Sequence, residues 1–369
     1  MQINRFIKYK ALPYLIIYFK NRAYNKTPLV ILALGISIFP SFGLFPYLIQ
    51  ILFSQSEYGD YINIIAIIIS ISLITFALYW IHRQMVNREK GLNRKSKVVF
   101  KQFSIDSSEK NNTPGNIKEE VYVTLDQRPK NNETNLEWMK NSLIKQRESI
   151  EDYFYVAERW DQPESQYEGL AHIPYVFLLG YQVSNKRNFT FSEWDENNLK
   201  WEVLPEEINY PKLELVKDLV SKNFESSSEV NILISLTEEI KRSQLSGIPA
   251  FNNDNYHLKL RNCKRHAIKS KTQLSEYKQQ FRSLLDDINR LYSNNLQRVN
   301  IFISAQTSLV FNIGSAITRN DKDVFIYNFE GKNTINYPWA LKVHKKTNPN
   351  NINSYIEIHE VGYDVKSSQ

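Results

Sequence analysis

VNIFISAQTSLVFNIGSAITRNDKDVFIYNF, Val299 to Phe329, reads as strand, turn, helix and strand, and its reading decides the fold. Val299, Ile301 and Ile303 alternate with Asn300, Phe302 and Ser304, the period of a strand whose two sides meet different surroundings. Ser304, Ala305, Gln306, Thr307 and Ser308 form a small polar turn. Leu309, Val310, Phe311, Ile313, Ala316 and Ile317 then carry helical spacing, Asn320 and Asp321 stop the helix, and Val324 to Phe329 is a second strand. A strand that ends in small polar residues at a helix start leaves backbone N–H groups free for an anion. Open α/β sheets bind ligands at such crevices.

The pattern recurs 134 positions upstream, where AHIPYVFLLG (Ala171 to Gly180) aligns with AQTSLVFNIG (Ala305 to Gly314). Ala171, Val176, Phe177 and Gly180 are identical to Ala305, Val310, Phe311 and Gly314, and both copies precede a strand, Phe189 to Trp194 and Val324 to Phe329. A duplicated α/β unit with pseudo-two-fold symmetry accounts for this, each half contributing to a ligand crevice.

Gly169 to Tyr181 (GLAHIPYVFLLGY), Asn231 to Thr237 (NILISLT), Ile301 to Gly314, Val324 to Phe329 and Tyr337 to Val343 (YPWALKV) together resemble the SAVED domain, over roughly residues 119–345. That family is similar to two fused CARF-like, Rossmann-like units that sense cyclic oligonucleotides in bacterial anti-phage (CBASS) systems. Gln306-Thr307-Ser308 departs from the alanine/proline-rich turn of the family.

Outside this part the chain changes character. Leu29 to Phe53 is 25 residues without a charge and Tyr61 to Ile81 is 21, each long enough to span a bilayer as a helix. Pro40, Pro46, Gly35 and Gly43 kink the first. Six Lys or Arg residues precede the pair and seven lie in Arg83 to Lys101, while the loop Ser54 to Asp60 has none. The positive-inside rule then puts both termini in the cytoplasm. The expected organisation is a basic interfacial segment at 1–27, a two-helix transmembrane hairpin at 28–85, a basic polar linker at 86–118, and an α/β sensor domain at 119–369 with halves at 119–260 and 261–369. Within the sensor, the spacing predicts strands at Val121 to Leu125, Val230 to Leu236, His257 to Arg261, Trp339 to Val343 and Tyr355 to Val361. It predicts helices at Leu136 to Tyr155, Leu213 to Val220, Glu238 to Gln244 and Thr272 to Asn294, with a polar loop at Ala157 to Glu168.

The one cysteine, Cys263, excludes an internal disulfide and a cysteine-based zinc site, and the six histidines lack metal-ligand spacing. No phosphate-loop, G-x-S-x-G or H-E-x-x-H motif is present. Neither catalytic residues, a metal nor a cofactor are therefore expected. The acidic pairs Glu206-Glu207, Glu238-Glu239 and Asp286-Asp287 read as solvated helix faces.

Candidate ligand-binding residues gather at the strand ends. His172 opens the first repeat helix, where it is placed either to donate to a phosphate or base or to hydrogen-bond within its own turn. Ser304, Gln306, Thr307 and Ser308 match it in the second copy and serve either a phosphate or ordinary helix capping. Ser235 and Thr237 end another strand. Arg319 and the run Lys259, Arg261, Lys264, Arg265, His266, Lys269 and Lys271 supply positive charge, unless the run is simply a solvated face. Tyr167, Trp160, Tyr337 and Trp339 suit base stacking or core packing, the last two pointing to one side of a shared strand.

The resemblance implies a two-transmembrane SAVED effector in the bacterial inner membrane. A CD-NTase-type nucleotidyltransferase would make its cyclic oligonucleotide, expected to be a cyclic trinucleotide. Binding would drive self-association, disruption of the lipid bilayer and abortive infection, with no DNA or RNA substrate. Two alternatives stay open: a membrane-tethered enzyme that degrades a nucleotide, and a signalling subunit that recruits a separate effector.

Overall fold

Val299, Ile301 and Ile303 bury one side of a central strand in a large apolar cluster, while Phe302 between them enters a second, smaller cluster on the opposite side. The computed structural model describes residues 27–38, 59–92, 97–105, 120–158, 163–184, 186–220, 227–292, 295–331 and 334–360. The chain divides into two units, residues 1–94 and 95–369.

In the first unit, helix α1 (Thr27–Ile38) packs against helix α2 (Gly59–Leu92). Most of the apolar run at 29–53 and the segment at 1–26 lie outside the described residues. Among the described residues no helix is long and apolar enough to cross a membrane. The two-span hairpin expected from hydropathy is thus not found among them.

The second unit holds two sheets. The first has the order β2-β1-β3-β4-β5, from β1 (Lys97–Phe103), β2 (Glu120–Asp126), β3 (Glu164–Leu170), β4 (Phe189–Asp195) and β5 (Lys200–Val203). All its pairings are parallel except the β4–β5 hairpin. Helix α3 (Asn135–Glu158) follows β2, and α4 (Ile173–Val183) follows β3. The second sheet has the order β12-β11-β10-β9-β7-β8-β6. Its strands are β6 (Glu214–Asp218), β7 (Glu229–Ser235), β8 (Asp254–Lys259), β9 (Arg298–Ser304), β10 (Asp323–Asn328), β11 (Trp339–Lys342) and β12 (Ile356–Ile358). β10, β9, β7 and β8 run parallel, and antiparallel β6, β11 and β12 finish the edges. The amphipathic helix α5 (Lys271–Leu291) precedes β9, and α6 (Thr307–Gly314) follows it.

The aligned motifs meet each other. A Cβ built on Gly180 of α4 would stand 2.1 Å from the Phe311 carbonyl oxygen of α6, and one on Gly314 would stand 2.1 Å from the Phe177 carbonyl oxygen. Each glycine therefore admits the backbone of the other copy, and the repeat is the seam between the halves.

Several expectations are corrected. Val98 to Phe100, within the expected linker and open from sequence to a short strand or a continued helix, is a strand, part of β1 in the interior of the first sheet. The expected loop at Ala157 to Glu168 contains most of β3, which is polar yet buried. Its Gln166 donates to Ser192 Oγ at 2.7 Å, Lys101 pairs with Glu168 at 3.3 Å, and Tyr153 bonds Ser165. Leu213 to Val220 is not a helix; it contains the exposed edge strand β6, because Leu213 and Leu215 fit a period of two as well as Leu215 and Leu219 fit a helical one. Glu238 to Gln244 is a bend running into the 3-10 turn Arg242–Leu245. The two sheets part between Val203 and Glu214, not at residue 260.

Candidate functional site

The carboxyl ends of the parallel strands of both sheets converge on one cavity of about 630 Å³. Leu170, Ala171 and His172 carry β3 into α4, and Ser304, Ala305 and Gln306 carry β9 into α6, so both repeat helices begin at its wall. Thr237 to Ile240 line it after β7, Glu193, Trp194 and Glu196 at β4, and Asn328 to Gly331 at β10. Arg265 and His266 reach it from the loop after β8. His266 holds the left-handed conformation, with φ of 53°.

Neither helix start is capped by its own N-cap side chain. In α6 the Ser308 N–H instead donates to Glu193 Oε1 at 3.2 Å, so a carboxylate from the first half sits on the helix start of the second. Burial holds the Glu193 carboxyl above its usual range, opposed by hydrogen bonds from Ser308 and Gln306. At the other helix start the His172 N–H donates to Ser104 Oγ at 2.6 Å, and that oxygen lies 2.6 Å from His172 Nδ1. Burial among Trp138, Tyr175 and Trp339 pushes the imidazole down to about 4, so it is neutral at physiological pH.

Of the residues singled out from sequence, His172, Thr237, Arg265, His266, Ser304, Gln306, Thr307 and Tyr337 line the cavity. Four of them tie the walls together. Ser304 Oγ lies 2.7 Å from Thr237 Oγ1 and accepts from the Glu238 N–H at 3.0 Å. Gln306 Oε1 accepts from the Ile268 N–H at 2.6 Å, and Thr307 donates to the Gly169 carbonyl at 2.8 Å.

The other candidates lie elsewhere. Tyr167 is in the core, donating to Gln102 Oε1 at 2.8 Å and packed on Phe311. Ser235 is buried, accepting from the Ile240 N–H and 2.8 Å from His257 Nε2. Ser308 is buried beneath the helix start. Arg319 is exposed past the far end of α6. Trp339 is fully buried, its indole donating to Glu330 Oε1 at 3.0 Å. Tyr337 precedes β11 and belongs to the smaller apolar cluster while Trp339 belongs to the larger, so the two do not share a face. Trp160 lies outside the described residues.

What the sequence reading passed over is the acidity of the wall. Glu193, Glu196, Glu238, Glu239 and Glu330 line the cavity against Arg265 and His266. Glu238 and Glu239, read as a solvated helix face, are rim residues, and Lys259 of the basic run is spent on Glu239 at 2.5 Å. Glu193 and Glu330 were findable, since each closes a predicted strand on the side where the helices begin. Chemically, the cavity offers helix-start amides and one guanidinium to an anion, and carboxylates to amino or hydroxyl donors. Among the described residues no His/Cys/Asp/Glu group is arranged to hold a metal ion.

The family model described as "SMODS-associated and fused to various effectors sensor domain" (SAVED) matches residues 147–343. Among solved structures, the chain is similar to the Acinetobacter baumannii Cap4 SAVED/CARF-domain containing receptor with the cyclic trinucleotide 2'3'3'-cAAA, at 16% identity and a TM-score of 0.44. That match covers 74% of this chain and 57% of the receptor. A Moraxella osloensis Cap4 SAVED/CARF-domain containing receptor is 15% identical with a TM-score of 0.41, covering 74% of this chain and 53% of that one. The chain thus spans a little over half the length of these receptors. No curated protein matches it. The chain belongs to the SAVED family and carries its sensor domain.

Proposed function

We propose that this member of the SAVED family is a membrane-anchored receptor whose cavity binds a cyclic oligonucleotide, taken as a cyclic trinucleotide. The observation that carries the reading is the convergence of both repeat helix starts on one cavity, whose volume lies within the range of small-molecule sites. Three phosphates of one ring need several donors at once. Arg265 supplies some, and the two helix starts supply the rest once Ser104 and Glu193 give up the N–H groups they hold, while Glu238 and Glu330 meet base amino groups or ribose hydroxyls. A ligand that touches both halves favours one arrangement of the seam, and self-association follows from that preference.

The anchor is supported by α2. Ile64, Ile65, Ile68, Ile69, Ile71, Phe76 and Leu78 are all exposed on it, and the whole run from Tyr61 to Ile81 is uncharged. Such a surface is costly in water and at home in lipid. Flanking Lys and Arg residues orient the sensor to the cytoplasm of a bacterial inner membrane. Ligand-driven clustering of these helices would breach the bilayer, the outcome being anti-phage abortive infection in a CBASS system.

The test is calorimetric titration of the full chain in detergent against cyclic di-, tri- and tetranucleotides, with the ligand recovered and examined for cleavage. Tight binding of a cyclic trinucleotide, recovered intact, is expected, followed by ligand-dependent leakage of vesicles carrying the protein. Binding of none of the rings would overturn the reading. Cleavage of the ring would replace it with a degrading enzyme.

A further inference from the structure

A second cavity, of about 540 Å³, lies where α4 and α6 end, and its charge is of one sign. Lys186, Arg187, Lys271 and Lys278 line it with Asn188 and Asn312, and no carboxylate does so among the described residues. Lys271, Ser275 and Lys278 descend one face of α5 from its first turn, while Lys186 and Arg187 come from the connection between α4 and β4. Phe189, Phe191 and Phe311 form an apolar floor.

Several part-buried cations elsewhere in the second unit are paired with carboxylates, although Lys345 too rests on neutral partners, the Tyr181 carbonyl and Ser184. Lys97 pairs with Glu120, Arg242 with Asp218, Arg298 with Glu357 and Lys342 with Asp323, while Arg282 pairs with both Asp286 and Asp321. Three of the four cations of this cavity instead use neutral partners. Lys278 donates to Ser315 Oγ at 2.7 Å, Arg187 donates to the Ala157 carbonyl at 3.3 Å, and Lys186 lies over the Phe154 ring. Lys271 stands in the first turn of a 21-residue helix, where the helix dipole disfavours a cation. Lys186 is exposed and Arg187, Lys271 and Lys278 are half-buried; like charges gathered with no counter-charge among the described residues repel, and a bound anion relieves that repulsion.

We propose that this cavity is a binding site for a small oligophosphate anion, of the di- or triphosphate class that nucleotides carry, separate from the cavity at the strand ends. Several cations around a small volume suit several phosphate oxygens, and the Asn188 and Asn312 amides add neutral donors.

Inorganic tripolyphosphate is the probe, titrated into the full chain in detergent at low ionic strength. Wild type is expected to bind it, and Lys186→Ala/Lys271→Ala to bind it about a hundredfold more weakly, each of the two lost charge-assisted contacts being worth on the order of a factor of ten. Both side chains lie at the cavity wall with no ion pair to break among the described residues, and the double Lys→Gln variant repeats the measurement with the stems retained. Cyclic trinucleotide titrated into the tripolyphosphate complex should leave it in place. Absence of wild-type binding overturns the site. So does unchanged affinity in both variants accompanied by a lower melting temperature, since the cations then serve only to offset the carboxyl ends of α4 and α6. One-for-one displacement by cyclic trinucleotide overturns its separateness.

Discussion

The two ends of the α4–α6 pair differ in sign. Where the helices begin, five glutamates face one arginine and one histidine; where they end, four cations face no described carboxylate. Both sets oppose the partial charge of the helix termini they meet, as dipoles ask. The starting end is nevertheless committed, its hydroxyls and amides knotted to one another, whereas the finishing end holds most of its charges on neutral partners. Similar volumes thus have different chemistry: one is preorganised for a ligand with both donors and acceptors, the other for an anion alone.

The seam is where this contrast is most easily broken. Gly180→Val or Gly314→Val forces a side chain into the opposing carbonyl, so the helices separate and both cavities deform together. Each is expected to cost about 3 kcal/mol or more in denaturant unfolding, with near-equal effects because the contacts are reciprocal. A large effect from one glycine alone would deny the symmetry.

Acid comes next. His172 and His257 are each pushed down to about 4 by burial, below their ordinary value of 6.5. A depressed folded value means their contribution is complete above pH 6.5 and is lost as pH falls from there towards 4, at up to about 1.4 kcal/mol per unit for each. His172→Gln, which keeps a hydrogen bond to Ser104 within reach, should flatten stability measured across that window. An unchanged slope would show the imidazole is not held neutral.

Smaller effects separate the ends. Arg265→Ala should weaken cyclic trinucleotide by about tenfold while leaving tripolyphosphate untouched, as a lost charge-assisted bond at one site demands. Glu193→Gln should tighten an anionic ligand by roughly threefold, a fraction of a screened charge repulsion. Since burial raises the Glu193 carboxyl, wild-type affinity should climb as pH falls and that carboxyl takes a proton, and Glu193→Gln should lose this trend. Calorimetry from pH 8 to 5.5 reads both.

Much of the α/β framework was legible from residues 299–329, because apolar alternation and helical spacing survive wherever a strand or helix has a dry face. β3 was not, since Ser165, Gln166 and Glu168 are buried polar groups satisfied by partners distant in sequence. The edge strand β6 failed for the opposite reason, being exposed along its whole length. At the site, position along the strand was readable and commitment was not. Ser304 and Gln306 stand where expected, yet their hydrogen bonds run to Thr237 and Ile268. Tyr167, Ser235 and Trp339 have the chemistry of ligand contacts and spend it inside the core.

The reciprocal glycines also set how this protein responds to dilution. An isologous contact between separate chains forms and dissociates with concentration. Here both copies are on one polypeptide, so the contact is unimolecular and persists at any protein concentration. Joined halves are also released from the rule that a substitution must suit its own symmetry mate. That is how one strand end can keep a histidine while its counterpart carries a glutamine.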